Sequence, residues 1–143
     1  MKLITRDTDY AIRALAFLAK KEDRTISVSE LVRVLRIPRP FLRKIMQILN
    51  KKGVLLSQRG IGGGFKLAAS PERIFIMDII QIFQGSSSLA ECLFKKTLCP
   101  DRPACPLRKK IDSLENYVFS ELKKTTIACL VREGGKSWPR ERS

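Results

Sequence analysis

Between Glu30 and Glu72 the chain carries no acidic side chain, while Arg33, Arg36, Arg39, Arg43, Lys44, Lys51, Lys52, Arg59 and Lys66 all fall in that interval. Any fold that buries the apolar residues of this stretch must keep these cations at its surface. There they repel one another unless a polyanion neutralises them. A solvated basic face kept for solubility is the plain alternative. A membrane-surface helix fits less well, because the charge spans several expected elements rather than one amphipathic helix. The whole chain has a net charge of +14, and the excess is concentrated early: residues 1–73 hold 16 basic and 6 acidic side chains, residues 74–143 hold 12 and 8. Double-stranded DNA is the favoured partner.

At 143 residues and 44% hydrophobic content, the chain suits one compact domain with a modest extension. It has no apolar run of about 18 residues, so no membrane span is expected. Acidic residues appear as early as Asp7 and Asp9, too soon for the apolar stretch of a signal peptide. The expected location is therefore the cytoplasm, where thiols stay reduced. Four cysteines in that setting read as ligands or redox groups before they read as a disulfide framework.

The apolar pattern predicts short helices followed by a hairpin. Tyr10, Ala11, Ala14, Leu15, Phe17 and Leu18 form a stripe at helical spacing over residues 7–20. Ser27-Val28-Ser29-Glu30 has the form of a capping box, opening a helix to about Arg36 that buries Leu31, Val32 and Leu35. Ile37-Pro38-Arg39-Pro40 then breaks the chain, and Pro40 can sit in the first turn of the next helix. That helix runs to about Lys52 and stops at Gly53. It buries some of Leu42, Ile45, Met46, Ile48 and Leu49. Two short helices joined by a tight turn make a helix-turn-helix. Arg43, Gln47 and Lys51 share the other side of the second helix, with Arg39, Pro40 and Lys44 near its start. Arg and Gln are suited to bidentate bonds with guanine and adenine, although a merely solvated helix face has the same pattern.

A candidate wing follows. Residues 54–59 read as a strand, Gly60-Ile61-Gly62-Gly63-Gly64 as a turn, and residues 65–68 as a returning strand. Gly62 and Gly63 allow the backbone to approach another surface closely. Arg59, at the mouth of the hairpin, is placed to enter a minor groove. A phosphate-binding loop is the competing reading, but the glycine spacing matches neither nucleotide fingerprint and no helix follows at once.

Cys92, Cys99 and Cys105 lie in one stretch with Gly85, Ser86, Ser87, Ser88, Pro100 and Pro103, and a proline directly follows Cys99 and Cys105. Three thiolates from one irregular loop suit a soft metal centre. Zinc stays open, although structural zinc sites favour shorter spacings within ligand pairs. So does a set of buried apolar cysteines. Cys129, within Ile127-Ala128-Cys129-Leu130-Val131, reads as packing rather than as a ligand.

These features together resemble a known family. Arg59-Gly60-Ile61-Gly62-Gly63-Gly64-Phe65 is similar to the wing signature of the iron–sulfur winged-helix transcription regulators of the IscR and NsrR type. Thr8-Asp9-Tyr10-Ala11 and Ser70-Pro71-Glu72-Arg73-Ile74, leading into Asp78-Ile79-Ile80, are similar as well. The resemblance covers roughly residues 1–131. It implies a homodimer on a pseudo-palindromic operator, with Arg59 in the minor groove and Pro40, Arg43 and Lys44 on the reading face. It also implies that Cys92, Cys99 and Cys105 hold an iron–sulfur cluster. IscR-like members place a histidine three residues after the last cysteine, but this chain has Arg108 there and no histidine at all. NsrR-like members use a carboxylate early in the first helix, donated across the dimer, and Asp9 occupies the matching place. The alternative for Asp9 is an ordinary first-turn aspartate favoured by the helix dipole; Asp7 is a weaker candidate. Three cysteines and an oxygen ligand favour a 4Fe–4S cluster, with 2Fe–2S still open.

Ile76 to Phe83 is expected to be a buried helix. A long helix from Pro106 to about Lys124, striped by Leu107, Ile111, Leu114, Val118 and Leu122, is expected to pair with a second copy, with packing on the first helix as the equal alternative. The expected organisation is a mainly α winged helix-turn-helix with a small β-hairpin wing and a long C-terminal dimerisation helix. Its divisions are a DNA-binding domain at 1–84, a cysteine loop at 85–106, a dimerisation helix region at 107–131 and a flexible tail at 132–143. The expected function is a DNA-binding transcriptional regulator, most naturally a repressor, sensing redox, nitric oxide or iron–sulfur status. A cluster-free thiol regulator and a zinc-stabilised interaction module are the alternatives. With no histidine and no visible nucleophile–base pair, an enzyme is not expected.

Overall fold

The computed structural model describes residues 3–85 and 104–140. The first helix, α1 (Arg6–Lys20), starts where the Thr5 side chain accepts the Thr8 amide, with Asp7 and Asp9 in its first turn and Lys20 in its last. Both charge placements complement the helix dipole. Ala11, Ala14, Leu15, Phe17 and Leu18 are buried, joined by Ile12 and Ala16. Apolar side chains on so much of its circumference make α1 the central helix, in contact with most other elements of the fold.

Helix α2 (Val28–Leu35) is capped by Ser27, whose hydroxyl accepts the Glu30 amide at 3.1 Å. Only this half of the capping box forms. The Glu30 carboxylate instead takes both nitrogens of the Arg24 guanidinium, at 2.6 and 3.1 Å, because a bidentate ionic pair outweighs one neutral amide. Arg36 ends α2 in the left-handed region at φ 54°, Ile37 is buried, and Pro38 precedes α3 (Arg39–Lys51). Leu42, Ile45, Met46 and Leu49 anchor α3 in the core.

The wing is an antiparallel pair, β1 (Leu55–Gln58) and β2 (Gly64–Leu67), with Leu55 opposite Leu67 and Gln58 opposite Gly64. It is fastened to the body just ahead of α2. The amide of Ile26 donates to the Phe65 carbonyl at 2.9 Å, and the Phe65 amide returns to Ile26 at 2.8 Å. Gly64 makes this approach possible: a Cβ there would overlap the Ile26 backbone, and its φ of 152° is one that side chains disfavour.

Beyond a 3-10 turn at Pro71–Arg73, α4 (Ile76–Gln84) buries Ile76, Met77, Ile79 and Ile80. The long helix α5 (Pro106–Lys124) opens with proline in its first turn and buries no residue completely. Leu107, Leu114 and Tyr117 are each more than 60% exposed, whereas Phe119 and Leu122 rest on the core. The last helix, α6 (Ile127–Gly134), is capped by Thr126. Two hydrogen bonds stitch the junction of α5 and α6 to the entry of α4: Ile76 to Thr125 and Ile127 to Ile74, both 2.9 Å.

The folded part does not end at residue 131, as the flexible tail expected at 132–143 requires. Helix α6 continues to Gly134, a 3-10 turn spans Gly135–Ser137, Trp138 packs on the core and Pro139 is buried. Gly134-Gly135 reads as a flexible pair, but a side chain at Gly134 would collide with Trp138. Here the small residue admits an indole ring. Lys20 then caps the segment by donating to the Gly135 carbonyl at 2.9 Å.

Candidate nucleic-acid interface and cysteine segment

With Leu42, Ile45, Met46 and Leu49 turned inward, the 3.6-residue period of α3 leaves Arg39, Pro40, Arg43, Lys44, Gln47 and Lys51 exposed on its outer side. The first turns of α3 are held in place from both flanks. Arg39 donates to the Ser29 hydroxyl of α2 at 2.9 Å, and Lys44 lies 3.8 Å from Asp7 of α1. The second pair is largely exposed, at 66% and 38% for the two side chains, so it orients more than it stabilises. Phe41, 45% exposed, stands beside this face. It was not among the candidate residues, although its place out of step with the inward positions signals exposure.

The wing stands next in sequence. Arg59 is exposed where β1 ends, and Ile61 at the tip is entirely in solvent. Gly62 is exposed at φ 76°, with open space where a Cβ would be. Gly63 differs. Its amide closes the turn by donating to the Gly60 carbonyl at 3.0 Å, so it shapes the tip. Thr25 binds Gln58 at 3.1 Å, a further tie between β1 and the approach to α2.

Of the expected cluster ligands, Cys92 and Cys99 lie outside the described residues. Cys105 is the residue immediately before α5 and is half-buried. Asp9, on the first turn of α1, accepts the Arg13 guanidinium at 2.9 Å, and both side chains are more than 40% exposed. Such a pair is worth no more than about 1 kcal/mol, so the carboxylate is available to a stronger electrophile. Arg108, three residues after Cys105, is paired with Asp112 at 3.6 Å. Among the described residues no three Cys, Asp or Glu side chains converge as a metal site.

Two polar features escaped the sequence reading. The Gln84 side chain, at the end of α4, reaches the start of α1: its Oε1 accepts the Thr5 amide at 3.0 Å and the Thr8 hydroxyl at 2.7 Å, and its Nε2 donates to the Leu3 carbonyl at 3.3 Å. No periodic signal marks a contact between positions 79 residues apart. Cys129 is half-buried and receives the Thr126 hydroxyl at 3.2 Å. That hydrogen bond, aided by the Thr126 backbone and by Arg132, holds its thiol below the ordinary cysteine range.

A helix-turn-helix with a cationic outer face, flanked by a tethered wing, defines a DNA-binding transcriptional regulator. Comparison with known proteins places it more closely. Residues 4–133 match the Rrf2 family, described as an iron-dependent transcriptional regulator, and the chain belongs to that family. A protein of Aquifex aeolicus, provisionally described as an HTH-type transcriptional regulator, is 41% identical over 125 residues, covering 85% of this chain and 86% of that one. Among solved structures, CymR, the global cysteine regulator of B. subtilis, superposes with a TM-score of 0.79 at 25% identity, over 93% of this chain and 98% of its own. IscR of T. potens superposes with a TM-score of 0.73 at 20% identity, over 99% and 94%; this second likeness speaks for the fold. Rrf2 regulators bind DNA, are typically dimeric and act in transcription rather than as enzymes. No helix among the described residues is long and apolar enough to cross a membrane.

Proposed function

We propose that a dimer of this chain reads a pseudo-palindromic operator with α3 and the wing, and that its affinity is set by an iron–sulfur cluster held by Cys92, Cys99, Cys105 and Asp9. The observation that carries the DNA reading is the outer face of α3, where Arg39, Pro40, Arg43, Lys44, Gln47 and Lys51 are all exposed. Arg43 and Gln47 are the side chains suited to base edges, Lys51 to phosphate. Arg59 enters the adjoining minor groove, with Gly62 permitting close approach and Gly63 shaping the tip. The half-covered apolar stripe of α5, with Leu107 and Leu114 exposed, supplies the dimer contact. The iron-dependent character of the family supports the cluster, as does the donor set: three thiols suit iron, and Asp9 is tied only by a surface ion pair. When bound, a cluster would add a redox- and nitric-oxide-sensitive crosslink between the cysteine segment of one subunit and α1 of its partner. Loss of that crosslink relaxes the spacing of the two reading helices, which makes repression in the loaded state the natural mode.

A second reading keeps the DNA function and replaces the cluster with reversible thiol oxidation. It is favoured by the likeness to CymR, a cysteine regulator, and by the lowered thiol of Cys129. Anaerobic purification with iron, zinc and acid-labile sulfide analysis and Mössbauer spectra separates the readings. DNA selection with loaded and iron-free protein then tests the coupling. Iron and sulfide in stoichiometric amount, with an operator bound differently by the two forms, is the expected result. Metal-free protein whose affinity follows an oxidant supports the thiol switch, and stoichiometric zinc without duplex binding removes both.

A further inference from the structure

The geometry points to Gln84 as the positioning residue that joins the cysteine segment to the reading helix, a role that rests on the sensing function proposed above. Gln84 is the last residue of α4. Gly85 alone separates it from residues 86–103, which include Cys92 and Cys99. Its carboxamide is spent on the start of α1: Oε1 accepts from the Thr5 amide and from the Thr8 hydroxyl, and Nε2 donates to Leu3. Thr8 is fully buried, and its amide in turn donates to the Thr5 hydroxyl. Gln84 is half-buried, and the polar atoms it turns away from water are satisfied by these hydrogen bonds. Here all three bonds go to one short stretch.

That stretch has two further duties. Thr5 is the cap of α1, and the turn it opens carries both Asp7 and Asp9. Asp7 lies 3.8 Å from Lys44 on the exposed face of α3, and Asp9 is the candidate fourth ligand. One carboxamide therefore connects the root of the cysteine segment to a turn that touches the reading helix. Apolar packing between α1 and α4 tolerates small slides, but hydrogen bonds of fixed length and direction do not. A shift at the end of α4 is thus passed to the first turn of α1, whose Asp7 faces Lys44 across an exposed ion pair. The polar network transmits position, which an apolar leucine at residue 84 would not do.

The test compares operator affinity of the full-length protein in two states: anaerobic and iron-loaded, and the same preparation stripped with an iron chelator or oxidised with hydrogen peroxide. A wild-type ratio of about 5- to 150-fold is the ordinary range for such coupling. Gln84→Leu should bring the ratio to within about twofold of unity. Gln84→Glu, which keeps the acceptor oxygens for Thr5 and Thr8, should retain most of it. A purely structural role would weaken both states equally and leave the ratio untouched, which overturns the proposal while the sensing reading stands. A wild-type protein that responds neither to the chelator nor to peroxide overturns both. Hydrogen exchange keeps the test decisive if the leucine variant folds poorly. In wild-type protein, iron removal or oxidation should change protection at the amides of Thr5, Thr8 and Asp9, and unchanged protection there sinks the coupling.

Discussion

The reading half of the molecule is one continuous run of sequence, whereas the half proposed to sense is joined by bonds between residues far apart in the chain. Arg39 meets Ser29 ten residues away, and α2, α3 and the wing follow one another without interruption. By contrast, Thr5 and Gln84 are 79 residues apart, and Lys20 reaches Gly135 across 115. The difference sets what each half can do. A surface built mostly from local breaks and caps can move as a unit and keep its shape, which suits a part that must fit a fixed DNA groove. A region held together by a few long-range bonds can be rearranged by altering one of them, which suits a part that must respond.

The sharpest way to break this contrast is at the wing's attachment. Gly64→Ala places a Cβ on the Ile26 backbone and should destabilise the fold by on the order of 3 kcal/mol, read as a shift of the urea midpoint. Gly62→Ala meets nothing within 4 Å and should cost only the left-handed penalty of about 1 kcal/mol. Equal effects from the two would mean that the wing is a free hairpin and not part of the reading frame.

The next effect is on DNA itself. Arg43→Ala should lose about 1–3 kcal/mol of discrimination at one base pair, seen as relaxed preference at that position in a selection experiment. Lys51→Ala should weaken all duplexes alike and reduce the slope of log affinity against log salt by about one. Neither should change the ratio between loaded and iron-free protein, because neither residue belongs to the sensing half. A changed ratio would dissolve the division between the halves.

The same contrast explains what could be read from sequence. In the reading half, each boundary has a local chemical cause: Ser27 caps α2, Pro38 and Pro40 separate α2 from α3, and Gly53, at φ 78°, follows the end of α3. The period of Leu42, Ile45, Met46 and Leu49 then dictates which side chains of α3 face outward. The Pro106 start and the Lys124 end of α5 were legible for the same reason. Where side chains meet outside the helix and strand periods, sequence pattern has nothing to register. Glu30 forms a good capping box on paper, yet Arg24 competes for its carboxylate. Gly134-Gly135 looks like slack, yet Trp138 fills the space beside it. Gln84 resembles any polar residue at a helix end, and only the fold reveals that it meets Thr5 and Thr8. Cys92 and Cys99, the proposed cluster ligands, rest on residue type, spacing and resemblance, and lie outside the described residues.

A smaller effect is expected at Thr126, which lies in the sensing half but has a local partner. Its hydroxyl donates to Cys129 Sγ at 3.2 Å and accepts the Cys129 amide at 3.2 Å. Thr126→Ala removes an N-cap, which should cost about 1 kcal/mol. It should also raise the thiol's pKa, because the hydroxyl is the largest influence holding it down. The thiolate is the reactive form, so the pH at which alkylation of Cys129 reaches half its maximal rate should move upward, while Thr126→Ser should leave it in place. The measurement is the iodoacetamide rate against pH, followed at Cys129 by mass spectrometry. An unmoved profile in the alanine variant would assign the lowered thiol to the Thr126 backbone and Arg132 instead.

The smallest change in stability, and the most informative about the division, belongs to Asp9. Its bond to Arg13 spans i and i+4 on an exposed face, an arrangement worth about 0.3–0.5 kcal/mol, and its place in the first turn of α1 adds a dipole contribution of similar size. Asp9→Asn should therefore shift the urea midpoint by less than about 1 kcal/mol, and Arg13→Ala, which breaks the same pair but spares the carboxylate, should do much the same. If Asp9 is only a helix-start aspartate, the two variants will be indistinguishable in every assay. If it is the fourth ligand, they will part company under anaerobic conditions: Asp9→Asn will alter the Mössbauer spectrum and shorten the lifetime of the cluster, and Arg13→Ala will not. An identical spectrum in both would move the fourth ligand to another group and leave Asp9 to the surface of α1.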